Sequence, residues 1–487
     1  MPALSQCDTL IRQAQVINGA SLQTTIADVA IRGERIVAVG PALAMQARST
    51  IAADGLTLTP GFIDTHTHDD TSVIEAPEML PKITQGVTTV IAGNCGISAA
   101  PVTLRGAPPD PMDLLGGASL FRYPRFAAYV AAVNRAQPAV NVAALVGHTA
   151  LRANHLDRLD RPALPREIAA MRAQLREALD HGALGLSTGL AYANARAATA
   201  REVLALLRPV AAAGGVYATH LRSEAHAILD ALREACELGR AANVPVVVSH
   251  LKCAGVDNWG RAEEVLAFLG PARAGQPIAW DCYPYAASSS TLDLGQVDER
   301  VRITITWSEP HPEVAGRTLA RIAELWNLPQ MDAARQLQPA GAIYHGMSEQ
   351  DMRRFLQHPA TMIGSDGLPH DPRPHPRLWG AFPRVLGRYC RRERLFSLPQ
   401  AIRKMTWLPA RQFGLHHRGA VRAGYFADLV LFDADRILDA ATFTRSQRPA
   451  RGIEAVWVNG VQTYGRGGMT GHRRGRFLPR APIQWTQ

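Results

Sequence analysis

The chain has 487 residues, with 52 Lys+Arg against 42 Asp+Glu, a formal net charge of +10 and a hydrophobic content of 47%. So much apolar material with only 19% charged residues excludes a disordered chain, and six cysteines without framework spacing exclude a small disulfide scaffold. No run approaches the roughly 18–20 apolar residues of a membrane helix, and MPALSQCDTLIRQAQVI lacks the apolar block and cleavage site of a secretory signal. The expectation is a cytoplasmic protein with free thiols and no membrane partner. Basic residues cluster only in RYCRRERL around Arg391 and in GHRRGRFLPR, which is too little for a nucleic-acid stripe.

Between Leu10 and Pro60, short alternating runs such as TLIRQAQVING and IADVAIRGERIVAVG are punctuated by glycine and predict a small antiparallel β-unit. The texture returns after Arg418 in RGAVRAGYFADLVLFD and IEAVWVNGVQ, so residues 1–60 and 418–487 are expected to build one β-sandwich domain from both chain ends. From 61 to 417 apolar strand-like runs alternate with amphipathic helices. Candidate strands fall at GFIDTHTH, GVTTVIAGNCG, NVAALVGHT, GALGLSTGL, GVYATHLR, VPVVVSHLK, IAWDCYPY and TMIGSD. In SEAHAILDALREACELGRAAN, Ile228, Leu229, Leu232 and Cys236 recur at helical spacing, and Ser223 is placed to cap the start. Eight such units predict an α/β fold, a (β/α)8 TIM barrel. Residues 286–359, before the last strand, far exceed a normal connection and are expected to form an inserted lid.

In a barrel the C-terminal strand ends converge on one mouth. Here those ends carry His66, His68, Cys95, His220, His250 and Asp366. Each alone has an ordinary structural explanation, but six ligand-type residues on five strand ends are hard to attribute to packing. A thiolate with imidazoles and a carboxylate suits zinc better than magnesium or calcium. Lys252 and Tyr283, also at strand ends, offer charge and a hydroxyl to a substrate carboxylate.

The ordered motifs GFIDTHTHDD, GNCG, THLRSE, SHLK and GSDG resemble the amidohydrolase superfamily over nearly the whole chain, and the variant with Cys95 resembles its D-aminoacylase (N-acyl-D-amino-acid deacylase) branch. The resemblance implies one tight zinc on Cys95, His220 and His250, with His66, His68 and Asp366 forming a second, weaker position. It implies Asp366 as catalytic acid/base, taking a proton from the attacking water and passing it to the leaving nitrogen. It further implies that Lys252, Tyr283, Arg377 and Ser289 contact the α-carboxylate, with Tyr192 on the substrate side. GLAYANARAAT departs there from the family's Tyr-x-Pro-Gly turn. GALGLSTGL has no lysine to bridge two metals as in hydantoinases, so Cys95 is expected to supply the anionic ligand.

The substrate so implied is a small N-acyl-D-amino acid. The alternatives are deacylation restricted to N-acyl-D-glutamate or N-acyl-D-aspartate, dipeptide or cyclic-amide hydrolysis, and a catalytically silent assembly partner. An enzyme for acidic side chains would need a further pocket cation, for which Arg302 is a candidate.

Overall fold

A computed structural model describes residues 5–481. Both chain ends meet in a nine-stranded sheet, where Leu429–Phe432 pairs antiparallel with Thr57–Pro60. The expected unit was antiparallel throughout, and the sheet is mixed. Ser5–Ile17 pairs antiparallel with Thr24–Arg32 but parallel with both Met45–Ala52 and Thr57–Pro60. Alternation of apolar and polar residues reports that a segment is a strand with one buried face, and it is silent on the direction of its partner.

Eight strands of the central region run parallel at the predicted positions. They are β1 (Phe62–Asp64), β2 (Val87–Ala92), β3 (Asn141–Ala144, resumed at Val146–Gly147), β4 (Gly185–Gly189), β5 (Val216–His220), β6 (Val246–Val248), β7 (Ile278–Cys282) and β8 (Thr361–Ile363). Strands β1 to β3 form one sheet and the resumed part of β3 through β8 another, with neighbours in chain order. Beyond β8 the chain returns to the end of β1, where Thr67 bridges Gly367 and the Asp366 N–H donates to the His66 carbonyl at 2.8 Å.

Side chains alternate as a two-sided buried sheet requires. Ile63, Ile91, Ala143, Ala218, Val247, Ala279 and Met362 join one inner cluster with Leu184, closed below by Phe413, Leu415 and Leu478. Their neighbours Phe62, Val90, Val142, Tyr217, Val246, Trp280 and Ile363 face the helices. Those helices have local causes: Thr199 caps Ala200–Ala212 by accepting the Glu202 N–H, and Ser348 caps Glu349–Gln357. Ser223 does not cap the helix predicted to follow it. That helix begins at Ile228 with Ala227 before it, because Ser223 to Ala227 turn along the mouth of the strands.

Residues 286–359 contain a three-stranded sheet of Ser288–Thr291, Ile303–Ser308 and Ala340–Tyr344 with its own apolar cluster. Helix Glu349–Gln357, also within 286–359, packs against helix Ala262–Gly275 and strands β7 and β8.

A buried polar network joins the terminal sheet to the parallel strands. Asp428 pairs with Arg418, accepts the Asn459 N–H at 2.7 Å and lies 3.3 Å from the Asn141 amide of β3. Asp428→Ala would strand the Arg418 guanidinium in a nearly dry site. It is expected to cost about 3–5 kcal/mol of stability in denaturant unfolding.

Candidate metal centre

Four buried side chains meet where β1, β2, β6 and β8 end. The Cys95 sulfur lies 3.2 Å from His66 Nε2 and 3.2 Å from His250 Nε2, and His66 Nε2 lies 3.6 Å from Asp366 Oδ1. One ligand atom from each of His66, Cys95, His250 and Asp366 falls within 4.8 Å of the others. Such spacing is what donors need to surround a single ion at about 2.0–2.3 Å. A second such group joins His220, Glu224 and His250, so His250 is common to both. His68 stands beside the first, with Nε2 3.1 Å from Asp366 Oδ1.

The backbone is bent to make this convergence. Cys95, His250 and Asp366 have φ of 52°, 35° and 50°, in the left-handed region that these side chains seldom adopt. Gly189 ends β4 against Cys95, where a Cβ would fall 2.3 Å from the Cys95 carbonyl oxygen, so glycine is what lets the two strand ends touch. Behind the site, Asp281 Oδ1 accepts the His250 backbone N–H at 2.9 Å and lies 3.3 Å from His66 Nδ1, holding the backbone of the one and orienting the ring of the other.

Charge follows geometry. Burial works to raise the Cys95 thiol, but His66 and His250 outweigh it and hold the sulfur well below the ordinary thiol range. Burial works against the Asp366 carboxylate as well, and Arg377 at 2.8 Å, then His68, keep it well below its usual value. His68, which burial would lower, is pushed up to about 9 by its hydrogen bond to Asp366. A thiolate and an ionised carboxylate among imidazoles form a donor set that fits zinc.

The remaining predicted residues also gather here. The Arg377 guanidinium lies 4.6 Å over the Tyr283 ring and donates to the Ser289 carbonyl at 2.9 Å, and Lys252 Nζ lies 5.9 Å from the same ring. Ser289 Oγ is buried with no hydrogen-bond partner among the described residues, and Tyr283 donates to Met347 Sδ at 3.5 Å. The Tyr192 ring lies 4.9 Å from that of His220. A cavity of about 1380 Å³ opens over the site, lined by His68, Tyr192, His220, His250, Lys252, Ser289 and Asp366 among others. Arg302, the candidate pocket cation, is outside this lining and donates to His345.

Glu224 belongs to the site and was missed, although THLRSE contains it. Its carboxylate accepts from Lys252 Nζ at 2.6 Å, lies 2.9 Å from His250 Nδ1 and is 3.5 Å from His220 Nε2. Burial opposes its ionisation, but Lys252 and the two histidines drive its proton affinity far down. The available signal was the spacing of four from His220, which on a helix or a turn returns to the same side. A carboxylate on the back nitrogen of a metal-binding histidine orients the ring and raises its basicity. Glu224→Gln is expected to weaken metal binding about 10–100-fold, read by competition with a chelator.

The sequence pattern described as "Amidohydrolase family" matches residues 49–276 and 284–464. The chain belongs to this amidohydrolase family. Among its relatives, the D-aminoacylase of Alcaligenes xylosoxydans xylosoxydans is 47% identical over 473 residues, 97% of this amidohydrolase and 98% of the relative. The N-acyl-D-aspartate deacylase of the same organism is 46% identical over 487 residues, 100% and 98% of the two chains. The N-acyl-D-glutamate deacylase of Bordetella bronchiseptica, solved with zinc and a phosphonate inhibitor that mimics the reaction's tetrahedral intermediate, superposes with a TM-score of 0.94. It is 43% identical and covers 98% of this amidohydrolase and 100% of that chain.

Proposed function

We infer that the protein is a metal-dependent amidohydrolase that hydrolyses the amide bond of N-acyl-D-amino acids, giving a carboxylate and a free D-amino acid. The observation that carries the reading is the convergence of Cys95, His66, His250 and Asp366 beneath a cavity large enough for such a substrate. Its relatives act in name on this substrate class. The finer architecture in this reading is one closed (β/α)8 barrel over 61–417, a β-sandwich from 1–60 and 418–487, and the 286–359 insertion as a lid. The alternation of inner and outer side chains around the eight strands supports the barrel, and the pairing of Thr57–Pro60 with Leu429–Phe432 supports one terminal domain drawn from both parts of the chain. All six cysteines are free thiols, in keeping with a cytoplasmic setting. In the described residues no helix is long and apolar enough to cross a membrane.

Zinc is the metal we assign, with Cys95, His220 and His250 as the tight ligands and His66, His68 and Asp366 as the weaker position. When bound, zinc supplies Lewis acidity, polarising the amide carbonyl and bringing water within reach of deprotonation near neutral pH. Asp366, ionised at rest, takes the proton of the attacking water and delivers it to the leaving nitrogen. Arg377 holds that carboxylate in place at 2.8 Å. Lys252, Tyr283 and Ser289 anchor the α-carboxylate, and the buried, unpartnered Ser289 Oγ supplies a donor awaiting an acceptor. Lys252 already pairs with Glu224, so the substrate carboxylate joins a cation held in position rather than a free one.

With the carbonyl, the leaving nitrogen and the carboxylate fixed, inversion at the α-carbon would exchange the side chain for hydrogen and drive it into the wall. One enantiomer is therefore expected to be cleaved at least about 100-fold faster than the other, and the names of the relatives point to the N-acetyl-D-amino acids. Lys252→Ala should raise KM and lower kcat/KM for the D substrate. Equal rates on both enantiomers of several N-acetyl-amino acids would overturn the assignment.

A further inference from the structure

Lys82 is an ionisable group in the interior that the reaction does not use. Its side chain is fully buried on the short helix Leu80–Ile83, outside the cavity. The ammonium touches Asp64 at 2.8 Å, Asp69 at 3.2 Å and Ser365 Oγ at 2.7 Å. These three partners have a pattern in sequence. Asp64 and Asp69 bracket the segment that carries His66 and His68, and Ser365 immediately precedes Asp366.

The contacts continue into the backbone that aims those groups. Asp64 Oδ1 accepts the Ser365 N–H at 2.7 Å and lies 3.4 Å from the His66 N–H, and Ser365 Oγ accepts the Gly367 N–H at 3.2 Å. One cation thus ties the end of β1 to the end of β8, where Asp366 sits at a φ of 50°. Two carboxylates this close, both away from water, need a positive charge between them. A neutral side chain could fill the volume without holding them together.

We propose that Lys82 is a positioning residue for the reaction, fixing Asp366 relative to His66 and His68 by clamping Asp64, Asp69 and Ser365. The proposal rests on Asp366 being the acid/base. Proton transfer depends steeply on placement, whereas substrate binding rests on Lys252, Tyr283 and Ser289, which Lys82 does not touch. Loosening the clamp therefore lowers kcat and spares KM.

The test uses Ser365→Ala and Lys82→Gln with Glu202→Gln as a control. Glu202 is in an equally buried ion cluster with His148 and Arg152, apart from this site. Steady-state kinetics on one N-acetyl-D-amino acid, metal content and thermal midpoint are measured for each. The expected result is a kcat lowered about 10-fold or more in Ser365→Ala and further in Lys82→Gln. KM stays within about 2-fold and the tight metal is retained. Glu202→Gln is expected to lose stability while its folded fraction keeps wild-type kcat. Should Lys82→Gln fail to fold, Ser365→Ala decides. Wild-type kcat in Ser365→Ala, a fall in KM-limited binding alone, or an equal kcat loss in Glu202→Gln overturns the positioning role. Wild-type turnover in Asp366→Asn would instead remove the acid/base reading beneath it, so the two failures are separable.

Discussion

Cys95→Ala is expected to purify without its tight metal ion and to hydrolyse no N-acetyl-D-amino acid above background. The sulfur is the one anionic soft donor in the centre, 3.2 Å from each of two imidazoles. Its removal leaves nitrogen donors and a carboxylate already engaged by Arg377. A backbone explanation is excluded by the choice of residue, since alanine meets the φ of 52° on the same terms as cysteine. Were Cys95 only a small buried side chain, truncation would cost on the order of 1 kcal/mol and leave turnover intact. Metal analysis of the purified variant separates the two, and full zinc content would refute the assignment.

Asp366→Asn is expected to keep the fold and the tight zinc while kcat falls by a factor on the order of 100 or more. The amide preserves shape but carries no proton between water and the leaving nitrogen. It also gives up the charge that pairs with the buried Arg377, so a decrease in thermal midpoint is expected alongside. Near-wild-type turnover would assign the proton transfer to another group.

The centre was legible because its chemistry is written at strand ends. An apolar run followed by His, Cys or Asp is visible in one dimension, and all six candidate residues lie where the parallel strands finish. What the pattern hid depends on three-dimensional partners. Glu224 sits in a stretch whose periodicity reads as helix, yet the helix starts only at Ile228 and Glu224 turns inward to Lys252 and His250. Lys252 and Arg377 read as cations for a substrate carboxylate, and only the fold shows that each also lies against a carboxylate of the site. Lys82 gives no signal, because Leu-Pro-Lys-Ile looks like a surface turn and only the fold brings Asp64, Asp69 and Ser365 around it. The parallel pairing of Ser5–Ile17 in the terminal sheet is hidden for the same reason.

The most direct test of the account is X-ray absorption at the zinc edge on protein loaded with one equivalent of metal. The account predicts one sulfur scatterer at about 2.3 Å together with two imidazole nitrogens at about 2.0–2.1 Å, the sulfur vanishing in Cys95→Ala. A first shell of nitrogen and oxygen alone, with sulfur absent in the active wild-type enzyme, would contradict it.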